Sequence, residues 1–208
     1  MKRCPEPASI VSVDTLSGHV WIQEVPTGGT LRFQVSETGL VTFAVENLGT
    51  ETIESFPIQY HRAAQLVTDQ LDRAAFRVAV DDPGDVTFCG IASWNEGFEY
   101  DWSVVPAFIG MSVWDASTDK FLSPDAATGA FERLELPTLP AIDKETPVGR
   151  ANLHRFETDV GLPDSVWRSG TAAGILLRDK SETRVAAWLS DQFESETEAK
   201  RQSATDPC

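Results

Sequence analysis

Along the first half of the chain, apolar and polar residues alternate. Leu31, Phe33 and Val35 are separated by Arg32 and Gln34, and Val41, Phe43 and Val45 by Thr42 and Ala44. Glu37-Thr38-Gly39 makes a turn between the two runs. A period of two sends successive side chains to opposite faces, which predicts a meander of half-buried antiparallel strands. Just upstream, WIQEVPTGGTLRF (residues 21–33) reads as a strand, a tight glycine turn and a second strand. The period then lengthens. Tyr60, Ala64, Val67 and Leu71 recur at helical spacing, with Asp69 and Asp72 outward and Pro57 suited to the first turn.

Strand patterns return at Val86 and Phe88, leading into Cys89-Gly90-Ile91. The nearly continuous apolar run of residues 108–114 reads as a central strand, followed by a turn at 116–119. Ser123-Pro124-Asp125 open a short helix that ends near Leu134. Prolines mark 137–147 as an extended surface segment, and two last strands are expected at 172–178 and 184–189. Beyond Glu194 the chain is polar and lacks an apolar face, as in a frayed helix end and a disordered tail. The expected organisation is an extension over residues 1–9, one α+β domain over 10–194 with antiparallel sheets and a few flanking helices, and a tail over 195–208.

Composition adds one unusual feature. Of 208 residues, 41% are hydrophobic and 24% charged, as in an ordinary globular protein, but 32 acidic residues face 17 basic ones, a net charge of −15. Lysine is confined to Lys2, Lys120, Lys144, Lys180 and Lys200. Such a surface serves solubility, and it fits adaptation to a high-salt cytoplasm, the reading we adopt. At ordinary salt it argues against a nucleic-acid partner, because non-specific binding rests on Lys and Arg releasing counterions. At molar salt that contribution has nearly vanished, so RNA is neither supported nor excluded. No apolar run approaches the roughly 18–20 residues that span a bilayer, and no apolar stretch follows Lys2 and Arg3 as in a signal peptide. A cytoplasmic protein without a membrane partner is expected.

Cys4, Cys89 and Cys208 are odd in number and far apart, and suggest neither a disulfide framework nor a zinc site. His19, His61 and His154 are equally scattered and read as surface or satisfied histidines.

Small motifs, taken in order, resemble the adenylation domain of ATP-dependent RNA ligases, a family of covalent nucleotidyltransferases. Glu24, Gly28, Arg32 and Phe33 match parts of the family's first motif, E-K-x-D-G with a following R-F. Phe88 and Gly90 match F-x-G-E. Tyr100, Gly110, Val113, Trp114 and Asp115 match the strands that come after it. Gly174 and Arg178 echo E-G-x-x-x-R, and a lysine-bearing strand of the family falls on RVAAWLSDQF. The resemblance covers about residues 10–194. It implies an α+β fold of antiparallel sheets, with Glu24, Gly28, Arg32, Arg178 and Lys180 as candidates for binding nucleotide or phosphate.

The resemblance also implies losses. The family's nucleophilic lysine attacks the α-phosphate of ATP, and its position holds Val25, with Thr27 where an acidic residue would stand. Ile91 and Ala173 replace two glutamates, and Ala186 and Ala187 fall where lysines would offset phosphate charge. Met111 takes the place of an aromatic that would stack on adenine, and Ser112 that of an aspartate. One missing electrostatic group slows an enzyme by about 10²–10³, but a missing nucleophile removes the covalent route itself.

The expectation is a degenerate domain that acts by binding an active ligase, another protein, a nucleotide or an RNA end, with no metal and no cofactor. ATP and Mg²⁺ enter only if activity is retained. The alternatives are an active nucleotidyltransferase that uses Lys180 or a partner's lysine, and a purely structural assembly subunit. Arg32 reads equally as a phosphate ligand or as the outward residue of a strand. The aromatic row Trp94, Phe98, Tyr100 and Trp102 lies among Glu96, Glu99 and Asp101, which favours packing or a protein contact over stacking on bases.

Overall fold

The computed structural model describes residues 1–5, 8–9, 16, 18–45, 50–51, 53–74, 76, 83–96, 100–147, 162–180 and 185–189. The alternating segments form strands, and those strands are shared between two sheets. The strands are β1 (Ala8–Ser9), β2 (His19–Glu24), β3 (Gly28–Val35), β4 (Val41–Val45), β5 (Thr50–Glu51), β6 (Val86–Ser93), β7 (Phe108–Asp115), β8 (Lys120–Phe121), β9 (Ala141–Pro147), β10 (Gly174–Asp179) and β11 (Val185–Leu189). One sheet has five strands in the order β1-β11-β10-β2-β9, and the other six in the order β5-β4-β3-β6-β7-β8. Among the described residues, the ladders between these strands are antiparallel except that of β1 with β11. The fold is α+β, as expected.

The helices lie on the six-stranded sheet. α1 (His61–Gln70) follows a 3₁₀ turn at Ile58–Tyr60 and buries Ala63, Ala64 and Val67. α2 (Pro124–Arg133) begins as its sequence predicts. Ser123 accepts the Ala126 N–H, and Pro124, which has no N–H to satisfy, opens the first turn. Both pack on the face of Leu31, Phe33, Phe88 and Phe108. Phe33 stacks on Phe88 with ring centroids 4.7 Å apart, and the Phe131 ring of α2 meets Phe88 edge-on. Burying each such ring contributes about 1.5–3 kcal/mol.

Gly90 and Gly110 belong to this packing. A methyl group on Gly90 would enter the Phe108 ring, and one on Gly110 the Phe131 ring. The apolar run of β7 is nearly continuous because both its faces are covered. Phe108 and Val113 face the helices, and Ile109 and Met111 face the five-stranded sheet.

Three sequence expectations are corrected. The strand-turn-strand segment of residues 21–33 is not a hairpin, because β2 pairs with β9 and β10 while β3 pairs with β4 and β6. The proline-marked segment contains β9, whose ladder to β2 carries two register irregularities. Its prolines sit at the edges of the pairing, where a missing N–H is tolerated.

The third correction concerns the cysteines. Cys4 and Cys89 form a disulfide across 85 residues, with Cα atoms 5.8 Å apart. The expected tail at 195–208 and His154 lie outside the described residues. No helix among the described residues is long and apolar enough to cross a membrane.

Candidate functional site

The crossing from β2 to β3 holds Val25, the position that the sequence resemblance matches with the family's lysine. The Val25 N–H still bonds the Gly174 carbonyl at 3.0 Å, extending the β2 ladder by one residue. Pro26 has no N–H with which to continue it. The Thr27 hydroxyl donates to the Trp94 carbonyl at 2.7 Å and ties the turn to the end of β6. At Gly28 φ is 153°, and a Cβ there would strike the Ala92 carbonyl. The two glycines are needed because β3 begins in close approach to the end of β6, its ladder partner, and Gly29 leaves room for Tyr60 and Trp94.

Positions singled out along the sequence converge here. Val25, Ile91 and Met111 pack against an apolar cluster that contains Ala173, Leu176 and Ile109. The cluster lies between the sheets: Ile91 and Ile109 are cross-strand partners on the six-stranded sheet, and Leu176 belongs to the five-stranded one. Ala187 pairs with Leu176 in register, and Ala186 with Leu177.

The charged candidates are placed differently. Glu24 is fully buried, and its carboxylate accepts the Ser165 hydroxyl at 2.5 Å and the Val166 N–H at 2.8 Å. Burial raises its carboxyl above the ordinary range, against the opposing effects of those two bonds and of the Arg168 charge. Tyr100 is raised likewise, by burial and then by the negative charge of Glu24. Glu24 therefore fastens the segment that contains Ser165.

Arg178 is almost fully buried and donates to Gln23 Oε1 at 2.8 Å, and Gln23 donates to the Leu139 carbonyl at 3.0 Å. Lys180 is exposed in the turn after β10. It lies six residues beyond Gly174, roughly 20 Å along an extended strand, at the opposite end from Val25. Asp115 accepts from Ser117 and Thr118 and orders the β7–β8 turn, and these bonds hold its carboxyl below the usual range.

The aromatic row divides. Trp94 lies edge-on to Tyr60 and bonds Glu96, whereas Tyr100 lies edge-on to Trp102 and Trp167 in the inter-sheet cluster. Phe98 lies outside the described residues. Among the described residues no group of three or more His, Cys, Asp or Glu is placed to hold a metal ion.

The cluster occupies one end of the inner face of the six-stranded sheet. Beyond it come the rows Arg32–Cys89–Ser112 and Thr87–Trp114. The N-terminal segment lies on these rows. Besides the disulfide, Arg32 donates to the Lys2 carbonyl at 3.2 Å and to the Val45 carbonyl at 3.0 Å. The Lys2 N–H donates to Thr87, and its ammonium sits 5.0 Å from the centre of the Trp114 ring and 3.2 Å from Asp119. Neither this segment nor the Ser165 anchor carried a recognisable signal in the sequence.

Two layered antiparallel sheets with few helices make up this α+β fold, and solved structures of an RNA ligase share it. The chain is similar to Naegleria gruberi RNA ligase in a variant form with ATP and Mn, at a TM-score of 0.67 and 9% identity over 94% of this chain and 58% of that one. The same ligase with PPi gives a TM-score of 0.66 at 9% identity, over 95% and 58%. This chain thus spans under two thirds of those ligase chains. No protein-family model matches the sequence, and no curated protein matches it either.

Proposed function

We propose that this chain is an RNA-ligase-like domain that has lost adenylation and works by binding, in a cell with a high-salt cytoplasm. One observation carries the reading. The positions that the sequence resemblance matches with the nucleophile, two glutamates and the adenine-stacking aromatic, namely Val25, Ile91, Ala173 and Met111, lie in or pack against a single apolar cluster between the sheets. Magnesium needs oxygen ligands and a triphosphate needs cations, and an apolar cluster supplies neither. The residues present therefore do not fit ATP–Mg²⁺, and no adenylation step is written through it. Glu24 adds support, since its carboxylate is already bonded to Ser165 and Val166.

The partner in this reading is an active ligase or another protein, with an RNA end or a free nucleotide as the other ligands to test. The net charge of −15 supports the high-salt setting.

Incubation at high salt with ATP labelled at the α-phosphate and Mn²⁺ or Mg²⁺ tests the loss of chemistry. No covalent label is expected. A label that disappears in Lys180→Ala would overturn the reading in favour of a relocated nucleophile. Calorimetry with ATP and with single-stranded RNA then tests binding. Absence of heat with both, together with no partner co-purifying from native extract, would leave a structural subunit instead.

A further inference from the structure

We propose that residues 1–5 form a thiol-released cover over the inner face of the six-stranded sheet, with the Cys4–Cys89 disulfide as its latch. The contacts of the cover divide into one strong link and several weak ones. The Lys2–Asp119 pair joins side chains that are 42% and 77% exposed, a setting in which ion pairs hold little. The hydrogen bonds from Lys2 N–H to Thr87 and from Arg32 to the Lys2 carbonyl are long, at 3.4 and 3.2 Å. The Lys2 ammonium over Trp114 is a single cation–π contact, and Lys2 itself is exposed. The disulfide ties the segment covalently to Cys89, which is fully buried on β6, whereas Thr87, also buried there, is reached through the long Lys2 N–H bond.

The latch has a chemically defined opening. Cys4 is half-buried and Cys89 is not accessible, so a dithiol reductant attacks the Cys4 sulfur. The Cys89 thiolate leaves and takes up a proton, and the second thiol of the reductant then resolves the mixed disulfide and frees the Cys4 thiol. Two electrons and two protons pass to the protein as the dithiol becomes a disulfide. Cys89 afterwards behaves as a small buried apolar residue and leaves β6 unchanged. In a thiol-reducing compartment such a bond is transient and redox-sensing. Release uncovers Thr87 and Trp114 and frees Arg32 from the Lys2 carbonyl, on the face that continues from Ile91 and Ile109. That this face then receives a ligand rests on the binding function proposed above; the cover itself does not.

The test uses the full chain, oxidised and treated with dithiothreitol, with Cys4→Ser as a permanently open form whose folding is checked by circular dichroism. A non-reducing digest of the oxidised protein is expected to contain the Cys4 peptide joined to the Cys89 peptide, and its absence would overturn the proposal. Acrylamide quenching of Trp114, read as the difference between the parent chain and Trp114→Phe, is expected to rise at least about twofold in the reduced and Cys4→Ser forms, as a local covering contact is lost. Unchanged quenching in both forms would overturn it.

Calorimetry with ATP and with single-stranded RNA on the same samples separates the two proposals. Raised quenching without ligand heat keeps the cover and counts against nucleotide and RNA as the ligands. Raised quenching with equal ligand heat in the oxidised and reduced forms keeps both the cover and the binding function and overturns this face as the place where the ligand binds.

Discussion

Glu24 accepts the backbone N–H of Val166 at 2.8 Å across 142 residues of chain, and the same carboxylate takes the Ser165 hydroxyl. One side chain at the end of β2 therefore anchors the segment that brings Trp167 and Arg168 to the inter-sheet cluster. Removing it in Glu24→Ala leaves the part-buried Ser165 hydroxyl and Val166 N–H without their acceptor and empties the buried Glu24 position. A loss of about 2–4 kcal/mol is expected, read as a lower midpoint in chemical denaturation. A loss below the error of that measurement would mean the segment is held by other contacts.

The same residue sets a pH dependence. Burial raises the Glu24 carboxyl above its ordinary value of about 4.3, so the folded state holds that proton more tightly than the unfolded state does. Its stabilising contribution is full below that ordinary value and is lost as pH rises through the raised one. Compared with Glu24→Gln, the parent chain should lose melting temperature as pH increases across this window. A difference in melting temperature that stays flat with pH would contradict the assignment.

On the proposed function, a lysine placed at position 25 should not by itself confer adenylation. In Val25→Lys the amine enters a half-buried site beside Leu176 and Ala173, and a cost of about 1–3 kcal/mol is expected for the polar group. Ile91 and Ala173 would still supply no carboxylate. No covalent adenylate should form on incubation with labelled ATP and Mn²⁺. A labelled Val25→Lys protein would show that the apolar cluster opens readily to nucleotide.

Gly28→Ala should be among the most damaging single changes. The added methyl meets the backbone carbonyl of Ala92, which cannot rotate away as a side chain could, and the φ of 153° is strained for any L side chain. A loss of about 3 kcal/mol or more, or failure to fold, is expected in thermal unfolding.

Cys4→Ser should lower the melting temperature without changing secondary structure. Closing an 85-residue loop stabilises by up to about 4–5 kcal/mol on chain-entropy grounds, and measured values are commonly about 2–4. For a chain of this size the shift is about 5–15 °C. Circular dichroism melts with and without reductant should differ for the parent chain and coincide for the variant.

What could be read in the sequence was local. The alternation around Leu31–Phe33–Val35 and the spacing of Tyr60, Ala64, Val67 and Leu71 reflect which face is buried, and they placed β3, β4 and α1 well. Partnership was not legible. Pro26 to Gly29 have the composition of a hairpin turn whether the chain folds back or crosses to another sheet, and only the ladders to β9, β10, β4 and β6 decide that. Asp143-Lys144-Glu145 lack strand character because β9 is made by pairing to β2, and Lys144 lies over the Trp21 ring. The apolar cluster was foreshadowed by Val25, Ile91, Met111 and Ala173 because each departs from a motif. The Cys4–Cys89 bond had no such pattern to depart from.

The two sheets differ in how far apart their strands lie along the chain. The six-stranded sheet uses only residues 28–121, and most of its neighbours are consecutive strands. The five-stranded sheet joins β2 to β10 and β1 to β11, pairing Ala8 with Ala186. Long-range pairing forms slowly because loop closure precedes any gain from contact. During synthesis the six-stranded layer can therefore assemble while β10 and β11 are still inside the ribosome, leaving β2 as an unpaired apolar edge. Nascent-chain truncations ending near residue 140 should accordingly hold a folded half-molecule that is prone to aggregate through that edge.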